Sequence, residues 1–185
     1  MENKMRIIAL IMFSLVLSAC ASNGSKKTSA SQVSGNVSTG TGTLLIKQVV
    51  FGKDAVVRQA VKNECHLLTK LSGFVKSYAD DQYANIIENA TKSSTAGDLL
   101  NIEIVSLHGS GGGAWSGPKS VTIKGKLIKK GKLVGDFTAR RVSGGGMFAA
   151  YKGTCSILGR CVKTLGKDIA GWLKNPTKSA VLGDL

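Results

Sequence analysis

The chain has two histidines and four cysteines, the side chains best suited to act as nucleophile, base or metal ligand. His66 follows Cys65 directly, and neighbouring residues of the predicted helix point about 100° apart, so they are not a poised nucleophile and base. His108 precedes a glycine-rich segment and could serve a hydrolase or transferase from a cleft, although a solvated loop histidine is the simpler interpretation. We therefore predict no catalytic residue and keep His108 as an alternative.

Acidic residues are few and scattered, which limits acid–base and metal chemistry. The pair Asp80 and Asp81 is better explained by a helix terminus than by a general acid and base. A zinc site would need ligands in closely spaced pairs, which is not the spacing of Cys65, His66, Cys155 and Cys161. The sequence therefore predicts no metal and no cofactor.

The glycine-rich segment carries an incomplete nucleotide-binding motif. Gly109, Gly111 and Ala114 have the spacing of a dinucleotide-binding fingerprint. The segment continues through Trp115 and Pro118 into another predicted strand, so a phosphate would find no helix N-terminus there. We predict a flexible connection between two strands, with Trp115 as a residue that faces a partner.

The N-terminal residues have the pattern of an exported protein. Lys4 and Arg6 precede an apolar run, Ile7–Leu17, which is too short to span a bilayer and suits a secretory signal. The next four residues, Leu17-Ser18-Ala19-Cys20, resemble the lipobox of bacterial lipoproteins. This resemblance implies removal of residues 1–19 and lipidation of Cys20, with two or three acyl chains that make a lasting membrane anchor.

Two further expectations follow from the lipobox. In enteric-type bacteria an Asp after the lipidated cysteine favours the inner membrane; Ala21 and Ser22 here imply the inner leaflet of the outer membrane, facing the periplasm. Residues 20–43 are predicted to be a lipidated flexible tether, because 14 of the 23 residues after Cys20 are Ser, Thr or Gly. Its reach would be roughly 25 Å.

Residues 44–185 are predicted to form one α+β domain, a small and mainly antiparallel sheet with two or three helices on one face. A tight hairpin is predicted at Lys130-Gly131. The other sheet face remains for solvent or a partner. The periodicity predicts strands at Leu44–Phe51, Leu99–Leu107, Ser120–Lys129 and Lys132–Val142, and helices at Asp54–Tyr78, Asp81–Asn89 and Leu158–Leu173.

The chain is basic, with 25 Lys and Arg against 11 Asp and Glu. Nucleic acid is not a predicted partner, because few aromatic residues accompany the charge and an exported protein would not meet it. A solvated face is the simplest explanation; the functional one is attraction to an anionic envelope polymer or to lipid headgroups. The partner-facing candidates are Lys124, Lys126, Lys130 and Lys132, within a stretch that also holds Lys119 and Lys129.

Three cysteines remain if Cys20 is lipidated, an odd number for an oxidising compartment. We expect a Cys155–Cys161 disulfide, with Cys155 in the loop before the last helix, because six residues within one helix span about 9 Å. Cys65 would then be a core thiol. Pairing of Cys65 with Cys155 or Cys161 is the alternative.

Several short motifs resemble an uncharacterised family of bacterial lipoproteins with a domain of unknown function. They are Cys65-His66-Leu67-Leu68, Ala139–Gly146 (ARRVSGGG), and Leu165–Ala170 (LGKDIA) with Trp172-Leu173 and Pro176. The family has no established reaction. We therefore expect a non-enzymatic binding or assembly module, with a structural lipoprotein that holds anionic glycan or lipid, or a hydrolase that uses His108, as alternatives.

Overall fold

A computed structural model describes residues 40–91, 97–109, 118–144 and 153–185. Within these ranges no helix is long and apolar enough to cross a membrane. The strands are β1 (Thr43–Lys47), β2 (Val50–Phe51), β3 (Asn85–Ala90), β4 (Asp98–His108), β5 (Lys119–Lys129), β6 (Lys132–Ser143) and β7 (Ala180–Gly183). The helices are α1 (Gln59–Glu64), α2 (Leu67–Ala79) and α3 (Thr154–Leu173).

The fold is α+β, and its sheet is larger and more mixed than the sequence predicts. The strand order is β3-β1-β4-β5-β6-β7, with β2 also paired to β4. β4, β5 and β6 are antiparallel neighbours, whereas β1 is parallel to both β3 and β4, and β6 is parallel to β7. Helices join β1 to β3 and β6 to β7, and such crossovers bring strands together in parallel.

One face of the sheet carries the core. Alternate residues of β4 and β5, including Leu100, Ile104 and Ile123, are fully buried in one cluster with the apolar stripes of α2 and α3. The two helices approach closely at Gly166, where a Cβ atom would lie 2.6 Å from Phe74 Cβ. A larger residue at this position would push the helices apart.

The three long strands, their hairpin and the last helix are confirmed, but other predicted elements differ. The hairpin turn has positive φ at Lys130 and Gly131, as a type I′ turn requires. The helix predicted at Asp54–Tyr78 is broken at His66, whose left-handed φ of 49° separates α1 from α2. The helix predicted at Asp81–Asn89 is wrong, because that stretch largely forms the edge strand β3, whose alternate residues are exposed.

The disulfide joins Cys65 to Cys155, so the expected Cys155–Cys161 bond is wrong and the alternative is confirmed. The physical reason is that α3 begins at Thr154, which places both Cys155 and Cys161 inside one helix, too far apart to bond. Cys161, not Cys65, is the buried free thiol. Its burial raises the pKa of the thiol, which favours the unreactive protonated form.

A cluster of charged side chains holds the C-terminal strand β7 in place. Neither the cluster nor the strand was predicted from the sequence. Arg141 donates two hydrogen bonds to Asp168 of α3, at 2.7 and 2.8 Å, and a third to Asp184 at 2.9 Å. Asp184 also accepts a hydrogen bond from the backbone N–H of Val142. At Gly183, φ is +82° and a Cβ atom would collide with the Arg140 carbonyl, so this register needs glycine.

Loss of the Cys65–Cys155 disulfide should lower the free energy of unfolding. The bond closes a loop with a sequence separation of 90 residues, and removal of such a bond costs about 2–4 kcal/mol. We expect Cys65→Ser to unfold at lower urea concentration than the oxidised wild type and to be insensitive to reductant. Cys161→Ala is the matched control, because it should keep the sensitivity to reductant. If Cys65→Ser instead kept the sensitivity to reductant and Cys161→Ala lost it, the bond would join Cys155 to Cys161.

Acid should weaken the attachment of β7. The hydrogen bond from Val142 and the nearby Arg141 lower the pKa of the Asp184 carboxyl. Because this carboxyl has a lower pKa in the folded chain than in the unfolded chain, its ionised form stabilises the fold at pH values above the unfolded pKa. This stabilisation is lost as the pH falls through the folded pKa. Asp184→Asn should therefore reduce the unfolding midpoint at neutral pH, with a difference from wild type that shrinks on acidification. Asp54→Asn, an exposed position outside the cluster, should show no such pH-dependent difference.

Candidate functional site

The sheet face opposite α2 and α3, here called the open face, concentrates exposed apolar side chains. Among the described residues seven large hydrophobic residues are exposed, and strand register places five of them on this face. Register spreads them over three separate rows, so they surround the centre of the face and do not form one continuous patch. The five residues, between 43% and 67% exposed, are Val50, Ile87, Leu133, Val142 and Val181.

Charged residues of both signs occupy the centre of the open face. Glu103 on β4 faces Lys124 on β5, and Lys126 on β5 faces Asp136 on β6. Cross-strand neighbours of opposite charge commonly pair. In the part of the chain that the structure describes, however, none of these four side chains forms an ion pair within 4.0 Å.

These residues line a groove of about 610 Å³, a volume typical of small-ligand sites. We call it the mixed-charge groove. Its walls on the long strands are Asn101, Glu103, Lys124, Lys126, Asp136 and Thr138. The junction between β1 and β2 borders it with Lys47, Gln48 and Val50.

Most of the buried polar atoms that have no hydrogen-bond partner belong to residues of the open face. Four buried side-chain atoms of the described residues have no hydrogen-bond partner, and three of them belong to Asn101, Ser120 and Arg140. Strand register places all three residues on the open face. A buried polar atom without a partner costs about 1–3 kcal/mol and needs an explanation. Asn101 lines the groove, but its unsatisfied Oδ1 is buried inside the wall and out of reach of solvent.

The lysines singled out in the sequence do not form one surface. Lys124 and Lys126 are exposed in the groove, whereas Lys130 and Lys132 lie at the hairpin turn. The two remaining lysines of that stretch differ, since Lys119 is fully buried and Lys129 is paired with Asp98 at 2.7 Å. The interpretation of this stretch as a solvated face is therefore wrong for Lys119, which is buried.

Asp98 pairs with one of the lysines near the hairpin end of the sheet. Its carboxylate forms an ion pair with the Lys129 ammonium and accepts a hydrogen bond of 3.5 Å from the Tyr83 hydroxyl. Burial, with a smaller contribution from Asp98, raises the pKa of Tyr83 to about 12. Tyr83 therefore stays a neutral donor at physiological pH.

The histidines occupy separate places in the fold. The His108 ring is exposed at the end of β4, with Nδ1 3.1 Å from Ser106 Oγ. His66 lies at the turn between α1 and α2. Within the described ranges no three His, Cys, Asp or Glu side chains gather as a metal site would require. Cys20 and Trp115 lie outside the described residues, so their predicted roles stay predictions.

The acidic half of the groove was missed because its signal is tertiary. Glu103 and Asp136 are 33 positions apart in the sequence, and only the pairing of β4, β5 and β6 brings them near the two lysines. The basic half was visible in the sequence, which named Lys124 and Lys126 as partner-facing candidates, and the alternating burial of β5 leaves both exposed.

No protein-family model and no curated protein matches the chain. Solved structures that are similar to it include those of three bacterial proteins. A minor lipoprotein from Acinetobacter baumannii is 10% identical, with a TM-score of 0.42 over 75% of this chain and 96% of that one. The PelC dodecamer from Paraburkholderia phytofirmans is 12% identical, with a TM-score of 0.43 over 69% and 87%.

The third is a protein from Xanthomonas campestris assigned to the family DUF330. It is 11% identical, with a TM-score of 0.45 over 75% of this chain and 87% of that one. All three scores are below 0.5, and these similarities carry no conclusion about what this chain binds. The resemblance to uncharacterised lipoproteins therefore continues to rest on the sequence motifs.

Proposed function

We propose that this chain is a lipid-anchored envelope protein whose α+β domain is a non-enzymatic binding module, with the open face as its binding surface. The observation that carries the proposal is the joint presence on that face of exposed apolar residues and unpaired charges around the mixed-charge groove. Apolar area supplies affinity, and desolvated charges supply orientation and specificity. The partner is an envelope protein, which the module holds near the membrane.

The proposed anchor is supported by the sequence. Leu17-Ser18-Ala19-Cys20 follows an apolar run of signal-peptide length. The Ser/Gly/Thr-rich tether would place the domain at a typical distance of roughly 25 Å from the membrane, while the domain remains free to turn. Such freedom suits a domain that presents one face to a partner. We place it at the inner leaflet of the outer membrane.

A domain that holds anionic glycan or lipid through its hairpin is less favoured. Asp98 pairs with Lys129, and Asp136 and Glu103 lie opposite Lys126 and Lys124. These acids reduce the local positive field that such a polymer would need. The catalytic alternative likewise lacks a specific supporting observation beyond the contact between His108 and Ser106.

Replacement of the proposed lipidated cysteine should release the protein from membranes. Cys20→Ser removes the sulfur that would carry the diacylglycerol, so labelled fatty acid should no longer be incorporated and the chain should leave the membrane fraction. Metabolic labelling and fractionation of the expressing bacterium measure both effects. Ala21→Asp is the matched control, because it should remain acylated. A Cys20→Ser chain that still carries label would contradict the anchor.

Crosslinking should distinguish the open face from the helical face. A photo-reactive amino acid at Val50, beside the groove, should capture a partner protein in intact cells. The same amino acid at Lys163, an exposed position of α3, should not. Both variants carry the anchor, so they sample the same compartment. Equal capture from both positions, or none from Val50, would contradict the assignment of the binding surface.

A further inference from the structure

We infer that the mixed-charge groove binds an extended peptide segment of the partner in which acidic and basic side chains alternate on one side. This inference rests on the proposed function and names the chemical class of its ligand. It is carried by the four facing but unpaired charges that line the groove and by the spacing of the strands.

The facing charges define what the ligand must carry. Glu103 and Asp136 require cationic groups, and Lys124 and Lys126 require anionic ones. A purely anionic ligand would meet the two carboxylates, and a purely cationic ligand would meet the two lysines and Lys47 at the border. A segment that carries both signs can pair with all of them. Like-charge contacts cost binding free energy and so disfavour a ligand of one sign, whereas opposite charges speed association.

The arrangement has an approximate two-fold pattern. The lysines occupy successive open-face positions of β5, and the acids lie at opposite corners on β4 and β6. Side chains on one face of a strand are about 7 Å apart, and neighbouring strands are about 4.8 Å apart. The two acids are therefore about 12 Å apart across the lysine pair.

An extended peptide has matching dimensions. Its side chains at alternate positions share one side, about 7 Å apart. A basic, an acidic and another basic residue at alternate positions span about 14 Å, close to the distance from Glu103 across the lysines to Asp136. The central acidic residue of the peptide would then lie over Lys124 and Lys126. The peptide side chains in contact with the groove therefore alternate in charge.

The rest of the groove suits a peptide backbone. Asn101 and Gln48, whose side chains are amides, line the groove and can form hydrogen bonds with peptide groups through their accessible atoms. Thr138 offers a hydroxyl beside Lys124, and the exposed Val50 and Val181 flank the same row of residues. Uncharged side chains of the peptide can pack on these valines. Polar groups at the centre and apolar contacts beside them are usual in peptide recognition.

Peptide titration of the full chain tests the inference. Three blocked peptides of equal length alternate serine with charged residues; one carries lysine and glutamate in turn, one only glutamate and one only lysine. We expect the mixed-charge peptide alone to shift the amide resonances of the groove residues. The shifts should saturate as the peptide concentration approaches about 1 mM. Equal binding of the all-glutamate peptide, or no binding of the mixed-charge peptide, would overturn the inference.

Matched variants separate the groove from general charge attraction. Lys124→Ala with Lys126→Ala should weaken binding of the mixed-charge peptide about tenfold, and Glu103→Gln with Asp136→Asn should do the same. Lys130→Ala with Lys132→Ala removes the same charge at the hairpin turn and should leave the affinity unchanged. Equal weakening by the two lysine pairs would overturn the site.

The peptide titration tests the ligand class, and the crosslinking tests the binding surface and its partner, so the two proposals can be rejected independently. Capture of a partner at Val50 with no binding of the mixed-charge peptide would reject the ligand class while supporting the binding surface. No capture at Val50 together with saturable peptide binding would support the groove as a peptide site and reject the proposed envelope partner.

Discussion

The packing of α3 against both the sheet and α2 is the contact on which the rest of the domain depends. One side of α3 is buried from Ile157 to Leu173, and Gly166 lets α2 approach closely enough to share the same core. The Cys65–Cys155 disulfide fastens the start of α3 to the turn before α2, and Arg141 fastens its later turns to β6 through Asp168. Both helices are thereby held on a single face of the sheet.

This one-sided packing determines where function can lie. Because the described helices pack on one face, charged side chains at the centre of the opposite face stay exposed, among them Glu103, Lys124 and Lys126. That face is neither uniformly polar, as a merely solvated face would be, nor uniformly basic, as the overall charge suggests. Its apolar residues surround a centre of nearly balanced charge. A surface of that kind is better matched to a protein segment than to a polyanion.

Features set by local periodicity were the most predictable. β4, β5, β6 and α3 follow patterns of alternate or three-to-four-residue spacing, and the turn at Lys130-Gly131 needs little beyond its two residues. β3 was mistaken for a helix because apolar Tyr83, Ile86 and Ile87 fit helical spacing, whereas its pairing with β1 decides its conformation. The short β7 has almost no pattern of its own and is held by β6 and Arg141.

The sequence by itself determined the class of fold, the main strands, the polar side of β5 and the expectation of a lipid anchor, because each depends on residues close together in the chain. Tertiary structure alone decided the disulfide partner, the burial of Lys119 and the meeting of Glu103 and Asp136 with the groove lysines. These features depend on strand register and on where α3 begins. Both are set by the burial of the whole core, since a single-residue shift would exchange the two faces of a strand.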